Sequence, residues 1–546
     1  AWDDSFMTPK WAWLAAWTGA ALAAALARAL AGRPLVFPLR AVWLALLAWL
    51  TWHWIATIWA PSPGLALDRA LRMTWLAVAV GLGYQWLRGR RALLWMAWIW
   101  IGLGSLTALW VLYQDPAQAW FPARLRIQPN LPDWRGYLAG GLGNTNHLGD
   151  LLALTLLPIL AMLGEARARR ARRLLGAAAV LLPAALIVCY SVGSNLGLLL
   201  GAAAMLALVL RRHGARWFAR RRGRWLALGA AWTFLIVFFN VNAPFNPHRP
   251  GILIQGFNSE RWREGGPTRL VIWAQAWEMI RQHPLLGVGT GNFTYVYPQM
   301  RSPLAQRRPD LLKYQGLWTN AAHNELLQAW AEQGIVGLAL LLALVAVAYR
   351  VLLQELALAS EPSFLARMAL TGLLTCWLGQ AQMNFTLQHP AGALEFFTIL
   401  LAILIEQRAR CAGPSMPPLI NETGLLELHV EWESMRRPTG VGAALQLPER
   451  WAKLLGVALL LGALGWMVQC TRPLLAQREY RRAMEALQRG ESARANEHFQ
   501  EALALDPDAV DVRSRYSDVL INAWHQPEEG LAQLAIVRRR LNSSEL

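Results

Sequence analysis

His323 and Asn324 open an amphipathic helical pattern that runs directly into a long apolar segment. The apolar side of this pattern carries Leu326, Leu327, Trp330 and Ala331. The arrangement predicts a histidine at a membrane surface, with its ring near the lipid headgroups. An imidazole titrates near neutral pH, so a histidine held there can act as a general base. The other interpretation is an interfacial side chain without a chemical role.

Basic side chains are frequent in residues 242–333, the segment that contains this histidine. They are Arg249, Arg261, Arg263, Arg269, Arg281, Arg301, Arg307, Arg308 and Lys313. Loops longer than about 15 residues are usually functional. Guanidinium groups bind phosphate through paired hydrogen bonds, so the segment suits an anionic, phosphate-bearing lipid. A solvated loop would explain part of the same charge.

The elements that position these residues are apolar. Hydrophobic residues make up 55% of the 546-residue chain, charged residues make up 16%, and the mean hydropathy is +0.28. About 20 apolar residues span a bilayer core, and stretches of that length recur from residue 11 to residue 470. The composition predicts an all-α polytopic membrane protein and excludes a soluble enzyme or a disordered chain. Arginines in short loops explain the net charge of +18, so no nucleic-acid partner is expected.

The pattern contains about twelve spans. They are roughly 11–31, 41–59, 72–87, 92–113, 146–164, 174–192, 195–210, 225–241, 334–353, 368–386, 390–406 and 454–470. Three arginine-rich loops, at 88–91, 167–173 and 211–224, follow alternate spans. Short basic loops stay in the cytoplasm, and all three fall on the same side when the spans are threaded.

This threading predicts four regions. They are an N-terminal membrane region of about eight helices (1–241), a periplasmic catalytic loop (242–333), a C-terminal membrane region of about four helices (334–470, with a cytoplasmic linker at 407–453) and a periplasmic tail (471–546). The opening segment AWDDSFMTPK also falls outside the cytoplasm. A chain that starts there needs an upstream span or a cleaved leader. We expect one further helix before residue 1, with a processed leader as the alternative.

The spacing of small and aromatic residues in the tail resembles a tetratricopeptide repeat. The matching residues are Ala483, Ala486, Gly490, Ala495, Phe499, Ala502 and Pro507. About three repeats are needed for an independent solenoid, and only about one and a half are visible. The tail is therefore predicted to be a short helical appendage. It either docks an acceptor or protein partner or serves as a cap.

Several segments resemble the signature of the O-antigen ligase superfamily. His323 and its neighbouring asparagine are followed by nine residues and then by Gly-x-x-Gly, which begins at Gly334. Residues 269–293 resemble the family's Arg-x-x-x-Trp helix and the His-Pro-Leu-x-Gly-Val-Gly turn after it. Residues 140–154 resemble its Gly-x-x-Asn-x-Asn-His stretch, which opens a membrane span. The DSFMTPK segment near the start is also typical of the family.

The superfamily contains O-antigen ligases, polymerases that join repeat units, and protein O-oligosaccharyltransferases. All share a metal-independent chemistry on the outer face of the membrane, so the resemblance implies no metal and no cofactor. It implies that His323 is the general base, which deprotonates an acceptor hydroxyl for attack on the anomeric carbon with inversion. It also implies that Arg269 stabilises the leaving diphosphate, with Arg261 and Arg263 as supporting cations.

One position departs from the family pattern. The family usually has a Ser-Arg pair where this chain has Ser194 followed by Asn195. An asparagine can donate a hydrogen bond to a diphosphate but carries no charge. Either a loop arginine such as Arg135 or Arg261 substitutes, or the donor is handled differently. A third option is that activity is lost and the chain persists as a structural subunit.

Further polar residues are candidates for substrate contact. They are Asn144, Asn146, His147 and Asn324. The first three form a cluster just before an apolar span and are predicted to lie at the outer surface. They either contact the substrate or form the turn and cap of the next helix.

The resemblance thus implies a glycosyltransferase of the O-antigen ligase type in the bacterial inner membrane, with its active face and C-terminus in the periplasm. The partners it implies are an undecaprenyl-diphosphate-linked glycan, a lipid, protein or glycan acceptor, and membrane lipids. A polymerase or a protein O-oligosaccharyltransferase is the alternative within this class. A non-catalytic membrane subunit is the alternative outside it. A transporter is weaker, because charges within the spans are few.

Overall fold

Long apolar helices dominate the structure, which is a computed structural model. It describes residues 10–11, 14, 16–25, 36–114, 144–189, 191–240, 259–314, 319–411, 426–432, 445–447, 457, 461, 465, 472, 475–476, 478–507 and 509–541. Within these ranges, seven helices are long and apolar enough to cross a membrane. The expectation of an all-α polytopic membrane protein is therefore confirmed. The number of spans stays a prediction, since the span at 454–470 falls mostly outside the described residues.

The helices follow the predicted spans closely between residues 41 and 406. In the first half they are α1 (Ala16–Ala25), α2 (Ala41–Ile55), α3 (Pro63–Trp86), α4 (Gly89–Gln114), α5 (Thr145–Glu165), α6 (Arg169–Cys189), α7 (Val192–His213), α8 (Arg216–Ala219) and α9 (Arg222–Asn240). In the second half they are α10 (Ser259–Gln282), α11 (Phe293–Val296), α12 (Arg301–Arg307), α13 (Glu325–Leu353), α14 (Glu361–Ala381) and α15 (Pro390–Cys411). The tail adds α16 (478–488), α17 (Ser492–Leu505), α18 (Val510–Asp518) and α19 (Pro527–Leu541).

Helices α3 and α13 both begin earlier than the predicted spans at 72–87 and 334–353. Pro63 stands at the start of α3, where its fixed φ favours helix and its missing N–H costs nothing. Helix α13 begins at Glu325 and continues through a sharp kink at Gly334, whose φ is 67°. The added turns carry charged residues, which is why hydropathy alone did not include them.

A small sheet joins two segments that the threading predicts on the cytoplasmic side. Strand β1 (Val36–Leu39) pairs in parallel with β2 (Leu426–Trp432), and β2 pairs antiparallel with β3 (Leu445–Leu447). The stretch 407–453 showed no motif in the sequence, so these strands were not predicted. The pairing satisfies backbone groups that would otherwise need water.

Helices α7 and α14 approach each other closely because small residues face each other. A Cβ at Gly197 would lie 2.5 Å from the carbonyl oxygen of Cys376, and one at Gly201 would lie 2.6 Å from that of Gly372. Glycines at such a crossing allow two membrane helices to pack backbone against backbone. The contact fixes the first turn of α7 beside the loop that follows α14.

The arginine-rich loops gather at one end of the helix bundle. Arg212, at the end of α7, donates to the carbonyl oxygens of Leu356 and Ala359, at 3.0 and 2.7 Å. Arg90, at the start of α4, donates to Ser360 Oγ at 3.2 Å. The same helices run to the opposite end, where His323 and residues 382–390 lie. The alternation of helix directions therefore agrees with the threading of the basic loops.

The tail forms its own small core. Phe499 is fully buried and stacks on Tyr516, with ring centroids 4.9 Å apart. Ala483 and Ala502 are also fully buried in this core, as the predicted small-residue spacing requires. The assignment to the tetratricopeptide repeat stays a prediction. Helix α19 lies against α11, the short helix that follows the turn at 283–292.

Candidate active site

His323 lies immediately before α13 in a left-handed backbone conformation, with φ of 52°. Asn324 is the N-cap of that helix, and its Oδ1 accepts a hydrogen bond of 3.0 Å from the backbone N–H of Leu327. A non-glycine residue in this conformation costs on the order of 1–3 kcal/mol and persists only where its surroundings enforce it. The backbone of His323 is therefore held by contacts outside its own segment.

Helix α10 supplies one of these contacts and brings a cation to the histidine. Trp273 Nε1 donates to the carbonyl oxygen of Ala322 at 3.0 Å, which fixes the residue before His323. Arg269 precedes Trp273 by four residues and so shares its helix face. Its charge acts on the His323 ring. The Arg-x-x-x-Trp spacing thus places two groups on one side of the imidazole: the Arg269 guanidinium and the Trp273 indole, which fixes the backbone of Ala322.

The electrostatic setting keeps His323 neutral. Burial, and to a lesser extent the positive charge of Arg269, lower the pKa of His323 from 6.5 to about 4. Burial also lowers the pKa of Arg269, although a guanidinium stays protonated in proteins. At neutral pH the site therefore pairs an unprotonated imidazole with a cation, the charge state that a base beside an anionic leaving group requires.

The glycine-rich turn at 283–292 interlocks with the kink in α13. The N–H groups of Val288 and Gly289 donate to the carbonyl oxygens of Ala331 and Glu332, at 2.9 and 2.8 Å. A Cβ at Gly334 would lie only 2.0 Å from the carbonyl oxygen of Leu285. The turn and the Gly-x-x-Gly signature therefore form one packed unit beneath His323.

An aromatic and histidine cluster lines the other side of His323. The ring of Phe385 meets His323 edge to face at 4.8 Å and meets His147 in the same way at 4.7 Å. His147 stacks on His389 with centroids 3.8 Å apart. The structure thus brings His147 close to His323. It adds Phe385 and His389, which were not predicted. The predicted span at 368–386 enclosed Phe385, whereas helix α14 ends at Ala381 and leaves Phe385 in a loop.

A buried hydrogen-bond network around the carboxylate of Asp150 lies next to this cluster. Asp150 accepts hydrogen bonds from Ser194 Oγ at 2.7 Å and from Asn384 Nδ2 at 2.8 Å. Gln380 Nε2 donates to the backbone carbonyl of Asp150 at 3.1 Å. The network ties α5, α7 and α14 together at the level of His147. The sequence reasoning did not identify Asp150, since a lone aspartate near the start of a span carries no pattern.

The side chains of Asn144 and Asn195 make local hydrogen bonds, and Asn146 is bonded through its backbone. Asn144 caps α5 by accepting from the backbone N–H of Asn146 at 2.8 Å, as the turn-and-cap interpretation requires. The carbonyl of Asn146 accepts from Ser194 Oγ at 3.2 Å. The side-chain amide of Asn195 donates to the carbonyl of Ser191 at 2.9 Å, within its own helix turn. Contact of these residues with a substrate stays a prediction.

The remaining basic candidates are less closely placed. Arg261 and Arg263 lie on the first two turns of α10, before Arg269 along the same helix. Arg135 lies outside the residues that the structure describes. Their roles stay predictions.

An apolar cavity of about 470 Å³ lies within the bundle, away from this site. It is bounded by α4, α5, α6, α14 and α15, and its lining includes Trp98, Pro158 and Leu373. Neither His323 nor Arg269 lines it. An apolar lining of this kind suits hydrocarbon and not a diphosphate, so we place the chemistry at the end of the bundle and not in the cavity.

A possible ligand set for a metal occurs in the tail, among the residues described. Glu479, His498 and Glu501 bring their ligand atoms within 4.8 Å of one another. Glu479 is already paired with Arg478 and Arg482, each at 3.0 Å. Two guanidinium groups on the same carboxylate oppose a further cation, so we assign no metal there.

Comparison with protein families agrees with this geometry. Residues 177–342 match the family model described as O-antigen ligase. The matched stretch includes Arg269, His323 and the Gly-x-x-Gly signature, whereas the cluster at 144–147 precedes it. A comparison with curated proteins gives no match.

The fold and the site define a multi-pass membrane protein with a histidine at one end of its helix bundle. Over residues 177–342 the chain matches the O-antigen ligase family model. The resemblance predicted from the sequence motifs is thereby confirmed for that stretch.

Proposed function

We propose that the chain transfers a glycan from undecaprenyl diphosphate to an acceptor hydroxyl on the periplasmic face of the bacterial inner membrane. The observation that carries the proposal is the contact of helix α10 with the backbone before His323, through Trp273, and with the loop of Phe385, through Arg269, which brings that cation beside the histidine. Arg269 and His323 lie in the stretch that matches O-antigen ligase. They also lie at the end of the bundle opposite the arginine-rich loops, which the positive-inside rule assigns to the cytoplasm.

His323 supplies the base in this proposal. Its imidazole takes the proton of the acceptor hydroxyl while the hydroxyl oxygen attacks the anomeric carbon from the side opposite the diphosphate. The carbon–oxygen bond to the acceptor forms as the bond to the diphosphate oxygen breaks, so the configuration inverts. Undecaprenyl diphosphate leaves with the bonding electrons, and the imidazolium later releases its proton to water. A positioned base of this kind contributes about 10²–10⁴-fold to the rate.

Arg269 stabilises the charge that develops on the leaving diphosphate. Its planar guanidinium can contact two phosphate oxygens at once. Among the described residues, its side chain makes a long contact of 4.0 Å from Nη1 to the sulfur of Met383, so hydrogen-bond donors are left for a ligand. A fixed cation in a partly buried site acts without the reorganisation that water would need.

The test is transfer of labelled glycan from undecaprenyl diphosphate by the purified chain. Three acceptors, lipid A-core, a glycan repeat unit and a peptide with serine or threonine, separate ligase, polymerase and protein glycosylation. We expect His323→Ala to abolish transfer to the preferred acceptor. His213→Ala, a histidine at the opposite end of the bundle, is the matched control and should transfer normally.

A non-catalytic subunit is the second candidate, and one observation favours it. Where the family usually has an arginine, the chain has Asn195, whose amide bonds to its own helix turn. Wild-type protein that neither binds nor turns over the donor with several glycans would favour this candidate and sink the enzyme. In that case residues 242–333 and the tail 471–546 would serve as docking surfaces for a larger assembly.

A further inference from the structure

We propose that Arg69, Glu325 and Glu332 form an ionic clamp that positions His323 for catalysis. The proposal rests on the proposed function above, and none of the three residues contacts the reacting atoms in it. Glu325 and Glu332 are almost fully buried, although they lie at the start of a helix that is long enough to cross the membrane. Ionisable residues in such helices are costly and usually mark functional sites.

The clamp binds both backbone polar groups of one residue, Leu387, in the loop after α14. The N–H of Leu387 donates to Glu325 Oε1 at 2.7 Å. The carbonyl oxygen of the same residue accepts from Arg69 Nη1 at 3.0 Å. A carboxylate and a guanidinium therefore hold both polar groups of one residue, and hydrogen bonds to charged groups are the stronger kind.

Glu332 binds backbone N–H groups of the glycine-rich turn, as Glu325 binds that of Leu387. Its Oε2 accepts from the N–H of Gly291 at 2.8 Å, and its Oε1 accepts from the N–H of Phe293 at 3.4 Å. Gln328 Nε2 donates to Oε1 at 2.7 Å from the preceding turn of α13. One carboxylate thus anchors the turn at 283–292 to the helix that His323 precedes.

Arg69 lies close enough to both glutamates for its charge to act on them. Glu325 and Glu332 are seven residues apart and so share one face of α13. The positive charge of Arg69 acts on both of them. The side chain of Arg69 also passes against the turn, since a Cβ at Gly291 would lie 2.9 Å from the Cβ of Arg69. Arg69 on α3 and the two glutamates on α13 therefore hold the same two loops, the one that contains Leu387 and the turn that contains Gly291.

This unit encloses His323. Glu325 is two residues after the histidine, and Leu387 is two residues after Phe385, whose ring lies against the imidazole. The left-handed backbone of His323 needs such external support. Loss of the clamp should therefore displace the backbone of His323 and the Phe385 ring that packs against the imidazole. We expect it to slow the chemical step more than it weakens donor binding.

The test compares three isosteric or conservative variants, Glu325→Gln, Glu332→Gln and Arg69→Lys, in the glycan-transfer assay. Displacement of a catalytic group by about 1 Å can cost on the order of 10²-fold. We expect kcat to fall by about that factor in Glu325→Gln, with the KM for the donor near the wild-type value. Unchanged kcat in both glutamine variants would contradict the clamp.

Glu406→Gln is the matched control. Glu406 is equally buried, accepts from Ser363 Oγ at 2.6 Å and pairs with Arg410 at 2.9 Å, at the arginine-rich end of the bundle. We expect it to lose thermal stability to a similar extent but to keep the wild-type kcat. If it loses kcat as much as the clamp variants do, the clamp residues are structural only.

A second readout does not depend on any glycan. Diethyl pyrocarbonate modifies accessible neutral imidazoles, and mass spectrometry reports the rate at His323 in the purified, folded chain. Release of the clamp should expose His323, so Glu325→Ala should raise this rate several-fold over wild type while the rate at His213 stays unchanged. An unchanged rate at His323 would overturn the clamp. A raised rate in protein without transfer activity would keep the clamp and reject the proposed function.

Discussion

The protonation state of His323 follows from its neighbours, and it sets the pH range of activity. A half-buried imidazole beside Arg269 with a pKa of about 4 is neutral down to mildly acidic pH. We therefore expect kcat/KM for glycan transfer to stay level from pH 7 to about pH 5 and to fall as pH drops through about 4, where the base becomes protonated. The measurement is a pH profile with the purified chain.

Replacement of Arg269 should shift the fall in kcat/KM at acidic pH in a known direction. The charge of Arg269 disfavours the imidazolium, so Arg269→Gln raises the pKa of His323 and shifts the fall in kcat/KM to higher pH. The remaining rate will be low, but the pH at which kcat/KM falls to half its maximum can be measured whatever that maximum is. A fall near pH 6.5 in wild type would show that His323 is exposed to water and not held as described.

In the proposed mechanism, Arg269 must carry more of the diphosphate charge than it would if Asn195 were the arginine of a Ser-Arg pair. A diphosphate has two or more negative charges, and Asn195 supplies none to balance them. Arg269→Lys keeps the charge but loses the planar pair of donors, so transfer should still fall strongly. Asn195→Arg should preserve or raise donor affinity. Donor binding and transfer by both purified variants provide the measurement, and a non-catalytic subunit would respond to neither change.

Among the helices, the kink in α13 is the feature that tolerates substitution least. Gly334 has φ of 67° and ψ of −173°, a conformation open almost only to glycine. A methyl group there would also meet the carbonyl oxygen of Leu285 at 2.0 Å. We expect Gly334→Ala to lower the thermal midpoint by several degrees and to abolish transfer, as measured by size-exclusion after heating and by the glycan assay.

The control for this change is a glycine in an ordinary helix. Gly102 lies within α4, and nothing lies within 4 Å of a Cβ built there. Gly102→Ala should match or exceed the stability of wild type, because alanine is the better helix former by about 1 kcal/mol. Equal damage from both substitutions would mean that the kink is not what Gly334 provides.

The sequence predicted the elements near the site better than the way they meet. Hydropathy located α5 and α15, and the motif pattern predicted that Arg269 and His323 share a site. It did not predict Asp150 or Arg69, because their partners lie on loops more than 200 residues away in the chain. Contacts between residues so far apart in the chain leave no periodic pattern in a short stretch of sequence, so the sequence pattern does not predict them.

Short polar loops were the other source of misses. Asn144 forms the helix cap that was one of its two predicted roles, since capping is a local interaction. Residues 382–390 carry Phe385 and His389, but the predicted spans at 368–386 and 390–406 left only three residues between them, so this loop was predicted too short. The role of such a loop depends on what packs above it, which only the assembled bundle reveals.

For the whole molecule, the decisive property is which side of the membrane each end occupies. The threading of the basic loops predicts residues 471–546 in the periplasm. The contact between α19 and α11 agrees with a tail on the same side as His323. A fusion of alkaline phosphatase after residue 546 should therefore be active. Strong signal from a reporter that works only in the cytoplasm would overturn the orientation and the proposed site with it.

The grip on Leu387 sets an order of events during synthesis. Its partners Glu325 and Arg69 precede it by 62 and 318 residues. At about 5–20 residues per second, the ribosome makes Leu387 roughly 15 to 60 s after Arg69. The Arg69 side chain is therefore made long before its final partner. In the proposed mechanism, His323 becomes a competent base only after the segment that carries Leu387 is in place, so a half-made chain does not consume the glycan donor.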